Sequence, residues 1–201
     1  MQTGDSHERE VKFFIDDPQW ISTQLKSIGA EMIKEQVHEY NLRFDTPDQT
    51  LKFHHQVLRL RKDSAIRLTF KGASDSTAEV ADREELEVTV GDFATTRSIL
   101  ERLGFQAFMV YEKYRTTYTH KGCEIVLDQL PFGHFIEIEG ASSAEIKETA
   151  GDLGLDWEKR ITASYLELFL NLKQNRNLNI SSIEFAQFEG MEFTESDFFS
   201  V

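Results

Sequence analysis

The chain has 201 residues, with 22 Lys and Arg against 35 Asp and Glu, which gives a formal charge of −13. Hydrophobic residues make up 40% and charged residues 28%, which is typical of a folded domain and not of a disordered chain. The excess of acid disfavours nucleic acid and anionic membranes as partners, and the single cysteine excludes an internal disulfide. No apolar run approaches the roughly 20 residues that span a bilayer, and the polar N-terminus does not resemble a secretory signal. We therefore expect a cytoplasmic protein.

Eight segments alternate apolar and polar residues with a period of two, which predicts β-strands. In chain order they span 6–15, 37–45, 56–62, 65–71, 83–90, 108–119, 123–129 and 134–140. Helical periodicity follows the first and fifth strands and returns at about 142–154 and 161–173. Asp17 and Asp92 are suited to N-cap the first two helices, and Gly29 and Gly104 are suited to the left-handed residue after the last turn.

Charged residues stand two or four apart in seven of these strands, so each set lies on one face of its strand, opposite an apolar face. The sets are Glu8, Glu10 and Lys12; Arg59 and Arg61; Arg67 and Lys71; Glu85 and Glu87; Lys113 and Arg115; Glu124 and Asp128; and Glu137 and Glu139. A sheet with one solvated face explains any single strand. A sheet closed around its charged faces explains the whole set, because runs of one sign are unusual on a solvated face. Such an interior would bind a divalent cation through carboxylates and phosphate oxygens through Arg and Lys.

The same residues follow the order of a known family. The chain contains an ExExK sequence at Glu8-Arg9-Glu10-Val11-Lys12, followed by Leu58-Arg59-Leu60-Arg61, Leu68-Thr69-Phe70-Lys71-Gly72, Glu85-Leu86-Glu87-Val88, Tyr111-Glu112-Lys113-Tyr114-Arg115 and Phe135-Ile136-Glu137-Ile138-Glu139. In this order the chain resembles the CYTH family, the triphosphate tunnel metalloenzymes, over about 6–172. The resemblance implies an α+β fold, an eight-stranded closed antiparallel β-barrel with helices packed on its outside. It also implies a tunnel that binds a triphosphate with Mg²⁺ or Mn²⁺.

The resemblance assigns roles to these positions. It implies metal ligands at Glu8, Glu10, Glu137 and Glu139, and phosphate-binding residues at Lys12, Arg59, Arg61, Lys71, Lys113 and Arg115. Glu85, Glu87 and Lys71 are the catalytic candidates, with the two glutamates holding a second metal or orienting water. Asp128 receives no role. We expect Arg43, Arg67 and Glu124 to face the tunnel or its mouth and to serve mainly in salt bridges.

The family contains inorganic triphosphatases, thiamine triphosphatases and class IV adenylyl cyclases, which use the same tunnel. We expect hydrolysis of inorganic, thiamine or nucleoside triphosphate, because water is the default nucleophile and no residue of the chain demands a nucleoside. One alternative is a class IV adenylyl cyclase that converts ATP to cyclic AMP and pyrophosphate. Another is a non-catalytic module that binds polyphosphate or nucleotide. The expected partner is a small-molecule triphosphate, and the outer helices could support a homodimer.

The end of the chain differs in composition from the rest. We predict a tunnel domain at 1–173 and an acidic tail at 174–201, which has five phenylalanines and no Lys or Arg after Arg176. The tail is either a flexible appendix or a flap that docks its apolar side chains. For the last ten residues we favour the appendix.

Overall fold

Eight antiparallel strands form a closed barrel in the structure, a computed structural model that describes residues 7–74 and 78–199. The strands are β1 (His7–Ile15), β2 (Glu31–Asp45), β3 (Val57–Lys62), β4 (Ile66–Lys71), β5 (Ala81–Thr89), β6 (Gln106–His120), β7 (Cys123–Leu130) and β8 (Gly133–Glu139). Their hydrogen-bonded order is β1-β5-β4-β3-β2-β6-β7-β8, and β8 pairs with β1 to close the ring. The predicted antiparallel sheet of eight strands is confirmed.

Two strands are longer than the sequence pattern predicts. β2 and β6 each have 15 residues and pair with each other along most of their length. The pairing shifts register between Met32 and Lys34 and again between Lys34 and Val37. Such irregularities interrupt the alternation of side chains between the two faces. The first part of β2 therefore lacks the period of two by which a strand is recognised.

The described residues contain the helices α1 (Pro18–Ser27), α2 (Thr50–Phe53), α3 (Phe93–Arg102), α4 (Ser143–Asp152) and α5 (Tyr165–Asn175). The Asp17 carboxylate accepts a 2.8 Å hydrogen bond from the backbone of Gln19 and caps α1, and Asp92 caps α3 in the same way. Gly29 and Gly104 have φ of 70° and 96°, which is the left-handed conformation expected of them. Only α2, a single turn, was not predicted. None of these helices is long and apolar enough to cross a membrane.

Helices cover the apolar outer faces of the strands. Ile21 and Leu25 of α1 and Ile146 of α4 pack against a cluster that contains Val11 and Ile138. On another side of the barrel, Leu100 of α3 packs in a cluster with strand residues of β2 and β3. Because side chains alternate along a strand, burial of these apolar faces outside directs the charged faces inwards.

The chain after α5 returns to the barrel and pairs with it. α5 begins at Tyr165, after a capping box of Ser164 and Glu167, and thus starts four residues later than the predicted 161. Beyond α5, the backbone of Ile183 donates a 2.9 Å hydrogen bond to Val110 and accepts a 2.8 Å hydrogen bond from Glu112. The tail thus adds a short stretch of pairing to β6.

Phe198, near the end of the tail, is buried, although we favoured an appendix there. Phe198 has no exposed surface, and its ring lies 5.4 to 5.8 Å from the rings of Phe14, Phe132 and Phe135. The expectation of an undocked end is therefore wrong as far as Phe199, the last described residue. Burial of such a ring is strongly favourable, and the aromatic surface that receives it comes from distant parts of the chain.

Candidate functional site

A cavity of about 290 Å³ lies inside the barrel and is lined by side chains from all eight strands. Every residue predicted from the sequence for metal, phosphate or catalysis lines it: Glu8, Glu10, Lys12, Arg59, Arg61, Lys71, Glu85, Glu87, Lys113, Arg115, Glu137 and Glu139. The structure thus brings all of the candidates together. The part that each one plays stays a prediction.

The charges that line the cavity are nearly balanced, whereas the molecule as a whole is strongly acidic. Eight Lys and Arg side chains and seven Glu side chains line it, in a chain whose formal charge is −13. Positive groups held close together in a cleft attract an anion that the rest of the surface repels. The cavity can therefore receive an anionic ligand.

Carboxylates crowd together at one end of the cavity. Glu139 of β8 lies directly opposite Glu10 of β1 and directly opposite Glu124 of β7. Loss of hydration among the surrounding protein atoms, followed by the negative charges of Glu8 and Glu124, raises the pKa of Glu139 to about 7. Like charges at opposed positions destabilise a sheet, and a hard cation with oxygen ligands would remove the repulsion. This donor set fits Mg²⁺ or Mn²⁺, although no three His, Cys, Asp or Glu side chains of the described chain converge in a ready metal cage.

Lysine and arginine side chains form ion pairs with several of these carboxylates. The ammonium of Lys12 lies 2.6 Å from Glu10 and 3.5 Å from Glu137, and Arg115 also contacts Glu137. Burial alone would raise the pKa of Glu137, but Arg115 and Lys12 hold it well below its usual range. Glu137 is therefore ionised at neutral pH and available to a cation.

Lys71 and Arg83 form ion pairs with the carboxylates of β1. Lys71 contacts Glu8 and lies 2.8 Å from Glu85, while Arg83 lies 3.3 Å from both Glu8 and Glu10. Burial would raise the pKa of Glu85, but the positive charge of Lys71 lowers it. Arg83 was not predicted as a site residue, although it precedes Glu85 by two residues and so shares its face of β5.

Asp128, for which no role was predicted, connects three side chains of the cavity. Its carboxylate accepts hydrogen bonds of 2.9 Å from Lys113, 2.7 Å from Arg115 and 2.9 Å from the hydroxyl of Tyr165. The Tyr165 ring also lies 5.4 Å from the Lys113 ammonium and 5.5 Å from that of Lys12. Asp128 is 1% exposed and therefore acts as a fixed counter-ion that positions the two cations.

Glu39 is a second buried counter-ion, and the sequence analysis missed it. It lies 3.6 Å from Lys113 and 3.5 Å from Arg61. Burial alone would raise the pKa of Glu39, but Lys113, Arg115 and Arg61 together lower it to about 2. Its position in the alternating pattern of 37–45, four residues before Arg43, was the signal that could have identified it.

Of the three residues expected to form salt bridges, one does so. Arg67 does not line the cavity and lies 2.8 Å from Asp63. Arg43 and Glu124 line the cavity, but neither forms an ion pair with any residue that the structure describes. The expectation is therefore wrong for these two. Arg43 faces the ring of Phe108 at 6.0 Å, and its Nε is buried without a hydrogen-bond partner.

Similar proteins match the chain over most of its length. Residues 6–165 match the family model described as the CYTH domain. A protein of Methanocaldococcus jannaschii named "Putative adenylate cyclase MJ0240" is 31% identical over 173 residues, which cover 80% of this chain and 97% of that protein. The match to the family model includes every predicted site residue.

Solved structures agree on the architecture. A Vibrio parahaemolyticus protein described as a "putative adenylate cyclase" has a TM-score of 0.73 and 22% identity, over 83% of this chain and 99% of that one. A Hippeastrum protein described as a "putative adenylyl cyclase" with a dominant triphosphatase activity has a TM-score of 0.63 and 20% identity, over 81% of this chain and 95% of that one. At these identities the likeness shows a common fold. Together with the family model and the archaeal relative, it leads to one conclusion: the chain belongs to the CYTH domain family.

Proposed function

We propose that the chain is a divalent-metal-dependent enzyme that hydrolyses a triphosphate bound in a tunnel through the barrel. The observation that supports this is the set of ion pairs between Lys or Arg and Glu that lines the cavity. A metal-bound triphosphate offers a new partner to both members of each pair. The carboxylates would turn to the cation, and the ammonium and guanidinium groups would turn to the phosphate oxygens.

The carboxylates of β1 and β8 would hold the metal. We propose Glu8, Glu10, Glu137 and Glu139 as ligands of Mg²⁺ or Mn²⁺, because Glu10 and Glu139 are directly opposite each other and Glu137 is ionised. When bound, the cation would neutralise negative charge on the phosphate oxygens. Lys12, freed from Glu10, would then be available to the phosphate chain.

The Lys, Arg and Glu side chains of the cavity would bind the phosphate oxygens and orient the attacking water. Phosphoryl transfer depends mainly on positioning and on stabilising charge at oxygen, and this cavity offers both. The phosphate oxygens would be bound by Lys12, Arg59, Arg61, Lys71, Lys113 and Arg115. We propose that Glu85 and Glu87 orient the attacking water, since Glu85 is ionised and able to accept a hydrogen bond. Lys71, 2.8 Å from Glu85, would neutralise the phosphoryl oxygens next to that water.

The second candidate is a class IV adenylyl cyclase. It is favoured by the name of the archaeal relative, which is 31% identical to this chain. In that reaction the ribose 3′-hydroxyl of ATP would replace water as the nucleophile, and pyrophosphate would leave. The same cavity residues would bind the triphosphate in both cases, so the products have to separate the two candidates.

Phosphorus NMR of the purified protein distinguishes these functions. The protein is mixed with inorganic triphosphate or with ATP, first with Mg²⁺ and then with Mn²⁺. Hydrolysis predicts that triphosphate disappears into orthophosphate and pyrophosphate. A cyclic phosphodiester and pyrophosphate from ATP would instead establish the cyclase. Intact substrates whose resonances shift or broaden would overturn both candidates in favour of a binding module.

The compartment, the partners and the oligomeric state of the protein are also proposals. We propose a cytoplasmic protein that acts without nucleic acid or membrane, and a homodimer formed through the outer helices. Ile99 of α3 and Leu103, the residue that follows α3, support a contact between copies, because they are 54% and 70% exposed. Light scattering at several protein concentrations tests the dimer.

A further inference from the structure

The tail completes the wall of the barrel beside β6. β2 pairs with β6 from Gln106 onwards, whereas β7 pairs with β6 from Tyr114 onwards, so the first part of β6 extends past the end of β7. Ile183 pairs with that part of β6, through its backbone hydrogen bonds with Val110 and Glu112. Alternate residues of a strand direct their backbone groups to the same edge. Ile183 therefore lies on the edge of β6 that β7 occupies further along.

The segment around Ile183 contacts both faces of the barrel wall. On the inside, the Ile183 side chain lines the cavity, and among the described residues of the tail it is the one that does so. On the outside, the backbone of Phe185 donates a 3.2 Å hydrogen bond to the Glu112 carboxylate, and its ring lies 5.2 Å from that of Tyr114. Further along the tail, Phe188 is 3% exposed and packs in an apolar cluster. These contacts fix the position of the segment.

Ile183 belongs to an apolar part of the cavity wall that the protein itself fills. Leu166 of α5 and Tyr111 also line the cavity, and all three residues pack in the same apolar cluster. Ile183 is 1% exposed, so it offers almost no free surface to a ligand. An organic group gains free energy from the apolar surface that it covers, and here that surface is already covered.

The size and the charge of the cavity suit a short inorganic chain better than a nucleoside. Its volume of about 290 Å³ is at the lower limit of the roughly 300–1,000 Å³ of pockets for drug-sized ligands. Eight Lys and Arg side chains and seven Glu side chains make up most of the lining. An aromatic base or ring inside it would displace the hydration of these charges without replacing their hydrogen bonds.

The segment that carries Ile183 lies outside the part of the chain that matches the family. The family model ends at residue 165, the first residue of α5. The archaeal relative is covered over 97% of its length by 80% of this chain. The wall that Ile183 forms beside β6 therefore comes from residues that the family model does not include.

We propose that Ile183 and the tail segment that carries it determine the selectivity of the cavity for a triphosphate without an organic group. This inference rests on the proposed function and deepens it, because it chooses among inorganic, thiamine and nucleoside triphosphate. By closing the wall beside β6, the segment leaves room for a phosphate chain with its cation and excludes an organic ring from the apolar part of the cavity. The class of substrate is then inorganic triphosphate.

Calorimetry with two slowly hydrolysed analogues tests this selectivity. Imidotriphosphate and adenylyl imidodiphosphate are each titrated, with Mg²⁺, into the wild type and into Ile183→Ala. We expect the wild type to bind the inorganic analogue at least about tenfold more tightly, which is within the range that pocket shape achieves. We expect Ile183→Ala to reduce that ratio by about fivefold or more, because the shorter side chain leaves room for part of the organic group. An unchanged ratio in a folded Ile183→Ala protein would overturn the inference.

Ile180→Ala is the matched control within the same tail. Ile180 is 6% exposed and packs in the same apolar cluster as Ile183, but in the described part of the chain it does not line the cavity. Both variants lose buried methyl groups and should lower the free energy of unfolding. We expect Ile180→Ala to keep the affinity ratio within about twofold of the wild type, because it acts away from the ligand. An equal change of the ratio in both variants would show that loosening of the tail, and not the Ile183 wall, sets the selectivity, and would overturn the inference.

The wild type alone gives a second test that does not depend on the folding of a variant. If it binds adenylyl imidodiphosphate as tightly as imidotriphosphate, the selectivity is overturned while the proposed function stands. If it binds neither analogue, the proposed function is overturned, and the selectivity with it. The two failures are therefore distinguishable.

Discussion

The ammonium of Lys71 lies 2.8 Å from the carboxylate of Glu85, its directly opposed neighbour in the β4–β5 pair. The same ammonium contacts Glu8 of β1, so one cation joins three strands that follow one another around the barrel. A buried ion pair adds little net stability compared with well-packed apolar residues. A cavity wall built from such pairs is better explained by a ligand that exchanges with them.

Removal of Lys71 should weaken phosphate binding more than it weakens the fold. Arg83 still neutralises Glu8 at 3.3 Å in Lys71→Ala. We expect the affinity for a slowly hydrolysed triphosphate analogue to fall by about tenfold or more, as for loss of a hydrogen bond to a charged group. Calorimetry measures this, with Lys52→Ala on the exposed surface of α2 as the control. Unaltered affinity would exclude Lys71 from the phosphate-binding residues.

Glu137→Gln should abolish metal-dependent turnover while the protein stays folded. The amide keeps the shape of the side chain but loses the charge that a divalent cation requires. Arg115 keeps Asp128 as its counter-ion, so no buried charge is left alone. We expect kcat to fall by about 100-fold or more. Phosphate release is compared with that of Glu35→Gln, at an exposed position of β2. Normal turnover with unchanged metal dependence would remove Glu137 from the metal site.

Glu39 should make the free energy of unfolding depend on pH in the acidic range. Its pKa is about 2 in the folded protein and 4.5 in its ordinary state, so the folded protein releases this proton more readily. The stabilisation is fully present above pH 4.5 and is lost as the pH falls towards 2. The shift corresponds to roughly 3 kcal/mol at most.

Denaturant unfolding of the wild type and of Glu39→Gln checks this dependence. We expect the difference in unfolding free energy between them to be largest near neutral pH and to shrink as the pH falls below 4.5. A difference that stays constant with pH would mean that the Glu39 carboxylate is not selectively stabilised in the fold.

The tail offers a matched pair of phenylalanines for testing its docking. Phe198 is fully buried, whereas its neighbour Phe199 is 41% exposed. We expect Phe198→Ala to lower the unfolding free energy by about 3–5 kcal/mol, as for other fully buried aromatic residues, and Phe199→Ala to have a much smaller effect. Thermal and denaturant unfolding measure both variants. Equal effects would show that the tail does not pack as the structure describes.

The strands and the cavity residues were predictable because both depend on a simple local rule. Glu85 and Glu87, two apart in a strand, necessarily share a face, and closure of the sheet brings that face inside. Asp17 and Gly29 mark the ends of α1 through local backbone requirements. Before Val37 the register of β2 is irregular, so side chains do not alternate between the faces and this part of the strand was not predicted.

The remaining features depend on distant residues. The position of Phe198 is decided by contacts with Phe132 and Phe135, which lie in a distant part of the chain. Nothing in the periodicity of 174–201 identifies that surface. Within 7–74 and 78–199, Arg43 forms no ion pair, which likewise follows from what its neighbouring strands place around it and is not revealed by any pattern within 37–45.

A metal-bound triphosphate should replace the internal ion pairs of the cavity. The most direct test is a crystal structure with Mn²⁺ and a slowly hydrolysed triphosphate analogue, in which anomalous scattering locates the cation. We predict Mn²⁺ among Glu8, Glu10, Glu137 and Glu139, and phosphate oxygens on Lys71 and Arg115 in place of Glu8 and Glu137. Intact Lys71–Glu8 and Arg115–Glu137 pairs, with the cation and the analogue bound elsewhere, would contradict the account.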